Sequence, residues 1–223
     1  MPVTRPQRAA RTRGRPAARS DHDVKAALLG AARDLFLRYG YREVSARQVA
    51  SAAHVNPAMV QYYFGSKQGL YAAMLGEVVA PLAARIDSML SQPDGHDLDL
   101  AGLLEAYMRT IAAHPWVPGL LMREVLAPDG AFRERFITDF AGRFGPKVAR
   151  IITRAVHSGR ARGDLDPRLT LVSFLSLGLW PFLAMPVVSR VLELEKGPAG
   201  VDRLIEHTVR LFAAGTAPGE QRS

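Results

Sequence analysis

From Asp21 onward, apolar positions recur at helical spacing. Leu28, Ala31, Ala32, Leu35, Phe36 and Tyr39 share one face of a helix, and Gly40 is placed to end it. Ser45 opens a second predicted helix. In Ser45-Ala46-Arg47-Gln48 the serine can accept from the Gln48 amide while the Gln48 side chain reaches back to the Ser45 amide. Val49, Ala50 and Ala53 give that helix a small-residue inner face suited to close packing. After a tight turn at Ala53-His54-Val55, Asn56 is a favoured N-cap and Pro57 a favoured first helical residue. The third helix is short, ending near Phe64-Gly65, and Ser66 caps a fourth that runs from Lys67 towards Ser91. Pro81, which lacks a backbone donor, is expected to kink it.

Past a loop at Gln92–Asp99, helical patterns continue over roughly 100–113, 116–126, 130–159, 167–190 and 199–214. They are separated by proline, glycine and aspartate, most clearly at Arg162-Gly163-Asp164-Leu165-Asp166-Pro167. No strand-like alternation and no internal repeat stands out, so the expected fold class is all-α. The expected organisation is a disordered basic arm over 1–20, a three-helix unit over 21–68, a helical body over 69–216 and a flexible tail over 217–223.

Charge changes the picture at one end. Of the net charge of +8, six arginines (Arg5, Arg8, Arg11, Arg13, Arg15, Arg19) fall in residues 1–20, which hold no acid. The other 203 residues carry 23 basic and 21 acidic side chains. A nearly neutral body with a basic arm points to a polyanionic partner, nucleic acid or an acidic membrane surface. The chain has no cysteine, which excludes disulfides and thiolate metal sites and fits a reducing cytoplasm. No apolar run of about 7–15 residues follows the arginines, so they do not begin a secretory signal peptide.

Two helices joined by a tight turn describe a helix-turn-helix, whose second member lies in the major groove of DNA. The segment Val55–Lys67, VNPAMVQYYFGSK, suits that task. Val55, Val60 and Phe64 are spaced to seat the helix on its core, which leaves Asn56, Pro57, Met59, Gln61, Tyr62 and Tyr63 on the remaining faces. Lys67 follows at a place where it can meet a phosphate.

Here the chain resembles the TetR family of bacterial transcriptional regulators. The resemblance is carried by Ala32, Leu35-Phe36, Gly40-Tyr41, Val44-Ser45, Val49-Ala50, Ala53, Val55, Val60, Tyr63-Phe64, Ser66-Lys67 and Leu70. It implies a cytoplasmic homodimer with an N-terminal DNA-reading domain and a C-terminal domain that dimerises and binds a small effector. It also implies base contacts from Gln61 and Tyr62, phosphate contacts from Ser45, Tyr63 and Lys67, and a contact of either kind from Arg47. Two positions depart from the family pattern: His54 stands where the turn usually has glycine, and Gln61 where the third helix usually has tyrosine. Histidine is among the residues that tolerate positive φ, and glutamine can pair bidentately with adenine. Ahead of this unit, Arg13-Gly14-Arg15-Pro16 resembles arms that insert arginine into a narrow minor groove. The expected partners are duplex DNA carrying a palindromic operator, a small-molecule effector and a second copy of the chain. The expected action is that of a repressor released by the effector.

No nucleotide-binding fingerprint or nucleophile elbow is present, so neither an enzyme nor a cofactor is expected. The six histidines show no paired metal spacing, and Asp94-Gly95-His96-Asp97-Leu98-Asp99 lacks the calcium-loop pattern, so no metal is expected. Leu169–Ser189, 21 residues without a charge, is long enough to span a bilayer, and with the basic arm it sustains the alternative of a membrane-associated or structural helical protein. Pro181 and Pro186 within it, and the absence of a second such segment, favour a helix buried between a partner subunit and a cavity, with Pro181 interrupting it just after Trp180. An apolar cavity suited to a lipophilic or aromatic effector is expected from Tyr107, Trp116, Met122, Phe174, Trp180 and Met185.

Overall fold

A computed structural model describes residues 20–91 and 99–218. Helices account for every regular element among them. α1 (Asp21–Tyr39), α2 (Ala46–Ala52) and α3 (Ala58–Phe64) form a head, and α4 (Lys67–Ser91) leads from it into the body. The body comprises α5 (Leu100–Ala113), α6 (Val117–Leu121), α7 (Arg133–Phe136), α8 (Gly142–His157), α9 (Pro167–Val191) and α10 (Pro198–Thr216).

Side-chain caps set several of these boundaries. Ser20 and Asp23 make a reciprocal capping box at the start of α1, and Ser45 and Gln48 make the one expected on α2. Asn56 Oδ1 accepts from the Ala58 amide at 2.9 Å, so α3 begins one residue later than Pro57. Asp99 and Asp166 cap α5 and α9 through their carboxylates.

Two elements of the body differ from their expected form. The helix expected over 116–126 passes at Met122–Leu126 into a π turn, closed by the Ala127 amide donating to the Met122 carbonyl at 2.8 Å. The one expected over 130–159 starts at Arg133 and contains a second π turn at Ile137–Ala141. Each π turn adds a residue to the helical repeat and rotates the side chains that follow. α4 and α9 run unbroken through their internal prolines. Pro181 leaves the Leu177 carbonyl without its helical donor, and the helix continues past it.

α4 is shared between head and body. Its Leu70, Tyr71, Met74 and Leu75 complete the head's core with Leu28, Ala32, Phe36, Val49 and Val60, while its Ile86 and Met89 lie in the body's core with Leu103, Leu104, Met108, Ile151 and Ile152. Leu120 and Phe132 from the body also enter the head's core, so the two units meet across continuous apolar packing.

α9 has two apolar sides. Phe174 and Gly178 are buried against the body. On the other side Leu169, Val172, Trp180, Val187 and Val191 stand exposed in one row at helical spacing, with Val172 at 59% and Trp180 at 63%. The expectation of a helix covered all round does not describe the single chain.

Candidate nucleic-acid interface and effector cavity

The head holds α3 outward by packing one side of it and leaving the other bare. Val60 is 2% exposed, and Val55, Phe64 and Met59 pack partly against the same core. Met59 is therefore partly committed to packing. Gln61 is exposed and Tyr62 is 72% exposed, as are Asn56 and Pro57 where the helix begins. The turn that sets the angle of α3 needs a left-handed residue, and His54 takes that conformation with φ +56°. At the far end Gly65, φ +71°, reverses the chain into α4 with its amide donating to the Gln61 carbonyl.

The remaining predicted contact residues sit around this helix. Arg47 is exposed on α2, and the Ser45 hydroxyl is exposed while capping that helix. Tyr63 reaches across to α1, where its hydroxyl donates to Asp21 at 2.7 Å, and this bond pushes its pKa up to about 12. Lys25 lies over the same ring at 5.5 Å. Lys67 is half-buried: its ammonium donates to the Tyr41 carbonyl at 2.8 Å and the Val44 carbonyl at 2.9 Å, above the Tyr41 ring at 4.2 Å. Burial lowers its pKa, against the pull of Glu124 and Glu43. In the free protein this lysine ties the α1–α2 loop to α4. Arg13 and Arg15 lie outside the described residues.

The body forms a partly open apolar cavity of about 220 Å³ between α4, α5, α8 and α9. Val78, Leu82 and Ile86 of α4 form one wall, Phe136, Phe140 and Phe144 another, and Tyr107 and Phe174 a third. Of the six residues expected to bind effector, only these last two line it. Trp116 packs between the head's core and a small cluster around Val78, Ile111 and Val117. Met122 and Trp180 line an outer groove of about 410 Å³, which shares Tyr107, Leu121, Phe136 and Leu175 with the cavity. Met185 lines a separate surface groove beside α10. Trp180 misses the cavity through helical phase, because six residues carry it about a third of a turn away from Phe174.

The sequence reading missed a polar latch between cavity wall and head. Glu124, in the first π turn, is 4% exposed. Its Oε1 accepts from the Tyr41 amide at 3.0 Å and from Arg123 Nε at 2.9 Å. The Arg123 guanidinium also donates to the Phe36 and Leu37 carbonyls, which lie at the end of α1. Arg42 reaches the Asp129 carbonyl at 2.8 Å. An arginine–glutamate pair inside an apolar stretch was the only available signal.

An outward third helix on a tight-turned helical head, latched to a helical body around an apolar cavity, defines a DNA-binding regulator. Comparison with known proteins narrows the class. Residues 28–74 match the family model described as bacterial regulatory proteins, tetR family. The HTH-type transcriptional repressor SCO4008 of Streptomyces coelicolor is 29% identical over 198 residues, 84% of this chain and 92% of that protein. The HTH-type transcriptional regulator RutR of Escherichia coli is 39% identical over 64 residues, 27% of this chain and 30% of RutR. Among solved structures, the ketosteroid transcriptional regulator KstR2 of Mycobacterium tuberculosis superposes with a TM-score of 0.62 at 18% identity, covering 91% of this chain and 99% of that one. Over residues 28–74 the chain carries the sequence pattern of the tetR family of bacterial regulatory proteins. It is a transcription regulator and not an enzyme.

Proposed function

We propose that the protein is a cytoplasmic, homodimeric repressor that binds a palindromic operator and leaves it when a small lipophilic molecule fills the cavity of the body. The carrying observation is the continuity between cavity and head. Leu121 and Phe136 line the cavity, and the π turn that follows Leu121 holds Glu124 and Arg123 against the end of α1. A ligand that spreads this wall moves the latch, and so changes the angle at which each head is offered to DNA. It acts only through its different affinity for the two arrangements. Repression is supported by the name of the Streptomyces relative, which aligns over most of both chains.

On DNA, Gln61 and Tyr62 face base edges, while Ser45, Arg47 and Tyr63 meet the phosphate backbone. Asn56 and Pro57 lead α3 into the groove, Met59 supports it from below, and Arg13 and Arg15 enter the flanking minor groove. The two recognition helices stand about 34–36 Å apart, one turn of B-DNA. The test starts from operators selected out of random duplex by the purified protein. Selected sites should be two-fold symmetric, and Gln61→Ala should relax preference at one base pair per half-site by about 1–3 kcal/mol. Loss of affinity for selected and random duplex alike would remove Gln61 from base reading. A protein that needs detergent and selects no sequence would instead favour the membrane-associated alternative, for which the exposed row on α9 is the supporting observation.

A further inference from the structure

The cavity carries information about what it accepts. No charged side chain lines it among the described residues. Its polar side chains are Thr110, whose hydroxyl already donates to the Ala106 carbonyl at 2.8 Å, and Tyr107. The Tyr107 hydroxyl makes no hydrogen bond among the described residues, although its ring is held firmly. Phe174 stacks on it with centroids 5.7 Å apart and planes 12° from parallel. On α9 the ring lies against Gly178, where any Cβ would overlap it. A half-buried phenol with a fixed ring and a free hydroxyl is a prepared donor. Burial pushes its pKa up to about 12, so it keeps its proton at any physiological pH. It also stands where the cavity meets the outer groove, since it lines both.

We propose that the effector is an uncharged lipophilic molecule with a single hydrogen-bonding group, such as a hydroxyl, carbonyl or ester, which Tyr107 engages. This rests on the reading of the cavity as the effector site. A carboxylate or phosphate placed here would lose its hydration and find one phenol in exchange, with no cation to balance it. A cationic ligand would meet aromatic faces but no carboxylate, which leaves most of its desolvation uncompensated. The groove towards Met122 and Trp180 gives an elongated apolar tail room to extend beyond the cavity.

The test uses the full chain and the neutral fluorophore N-phenyl-1-naphthylamine, displaced by ligands of equal chain length. 1-Decanol and methyl decanoate should displace it at concentrations at least about 30-fold lower than decanoate or decyltrimethylammonium. Tyr107→Phe should weaken 1-decanol about five- to tenfold and leave the fluorophore's own binding unchanged. Gly178→Ala, which pushes the ring aside, should weaken 1-decanol in the same direction. Displacement by decanoate or by the ammonium as readily as by the alcohol would overturn the uncharged assignment. Unchanged 1-decanol binding in both variants would overturn the role of Tyr107. If the fluorophore does not bind at all, the cavity is not an effector site, and the broader functional reading fails instead.

Discussion

Lys67 shows how one side chain can serve the fold before it serves DNA. Two charge-assisted bonds to the Tyr41 and Val44 carbonyls fix the loop that positions α2. Lys67→Ala should therefore lower the unfolding free energy by about 1–3 kcal/mol in urea titrations as well as weakening all duplex binding. An unmoved midpoint, with only the salt dependence of binding reduced, would leave phosphate contact as its whole role. Four residues on, Tyr71 raises the opposite question. Its ring is fully buried among Phe36, Tyr41 and Phe132, and its hydroxyl has no hydrogen-bond partner among the described residues. Burial pushes its pKa above the usual phenol range. Tyr71→Phe removes the unsatisfied group and keeps the ring, so it should stabilise the head by about 1 kcal/mol. A loss of stability would mean that the hydroxyl is bonded in solution.

At the scale of elements, local chemistry was legible where it acts within one turn of the chain. Ser45 with Gln48, Asn56, Ser66 and Gly40 each mark a helix end through a bond to a near neighbour, and the sequence carries that bond in its spacing. The first π turn was not legible, because its defining carboxylate faces a partner far away in the chain. Glu124 sits in the wider turn to meet Tyr41, 83 residues earlier. Removing that carboxylate tests whether the turn exists to hold the head. Glu124→Ala strands the Tyr41 amide and leaves Arg123 unpaired, and should cost about 2–4 kcal/mol of stability. It should also speed hydrogen exchange at Tyr41 by about 10–100-fold, because the loop then opens without global unfolding. Exchange as slow as in the parent protein would sever the proposed connection between cavity and head.

For the whole molecule, the unresolved matter in the sequence was the side on which α9 is covered. An uncharged run such as Leu169–Ser189 is apolar in every direction, so composition marks the helix as special and cannot assign its faces. That is why Trp180 and Phe174 were grouped together, although the fold turns Phe174 to the cavity and Trp180 outward. The outward row has no cover among the described residues of the single chain, and a second copy related by a two-fold axis can supply it, row against row. Val172, exposed at 59% within the row, touches neither cavity nor head, so its substitution isolates the interface. Val172→Glu should leave helix content intact by circular dichroism, since the new charge stays in water until the partner docks. Light scattering should then give the 24.3 kDa of one chain where the parent gives twice that mass. Operator binding should fall with it, because a lone head holds only half of the phosphate and base contacts. A variant that remained dimeric in plain buffer would place the interface elsewhere. A parent protein that stayed monomeric, or needed detergent to stay in solution, would assign the row on α9 to lipid.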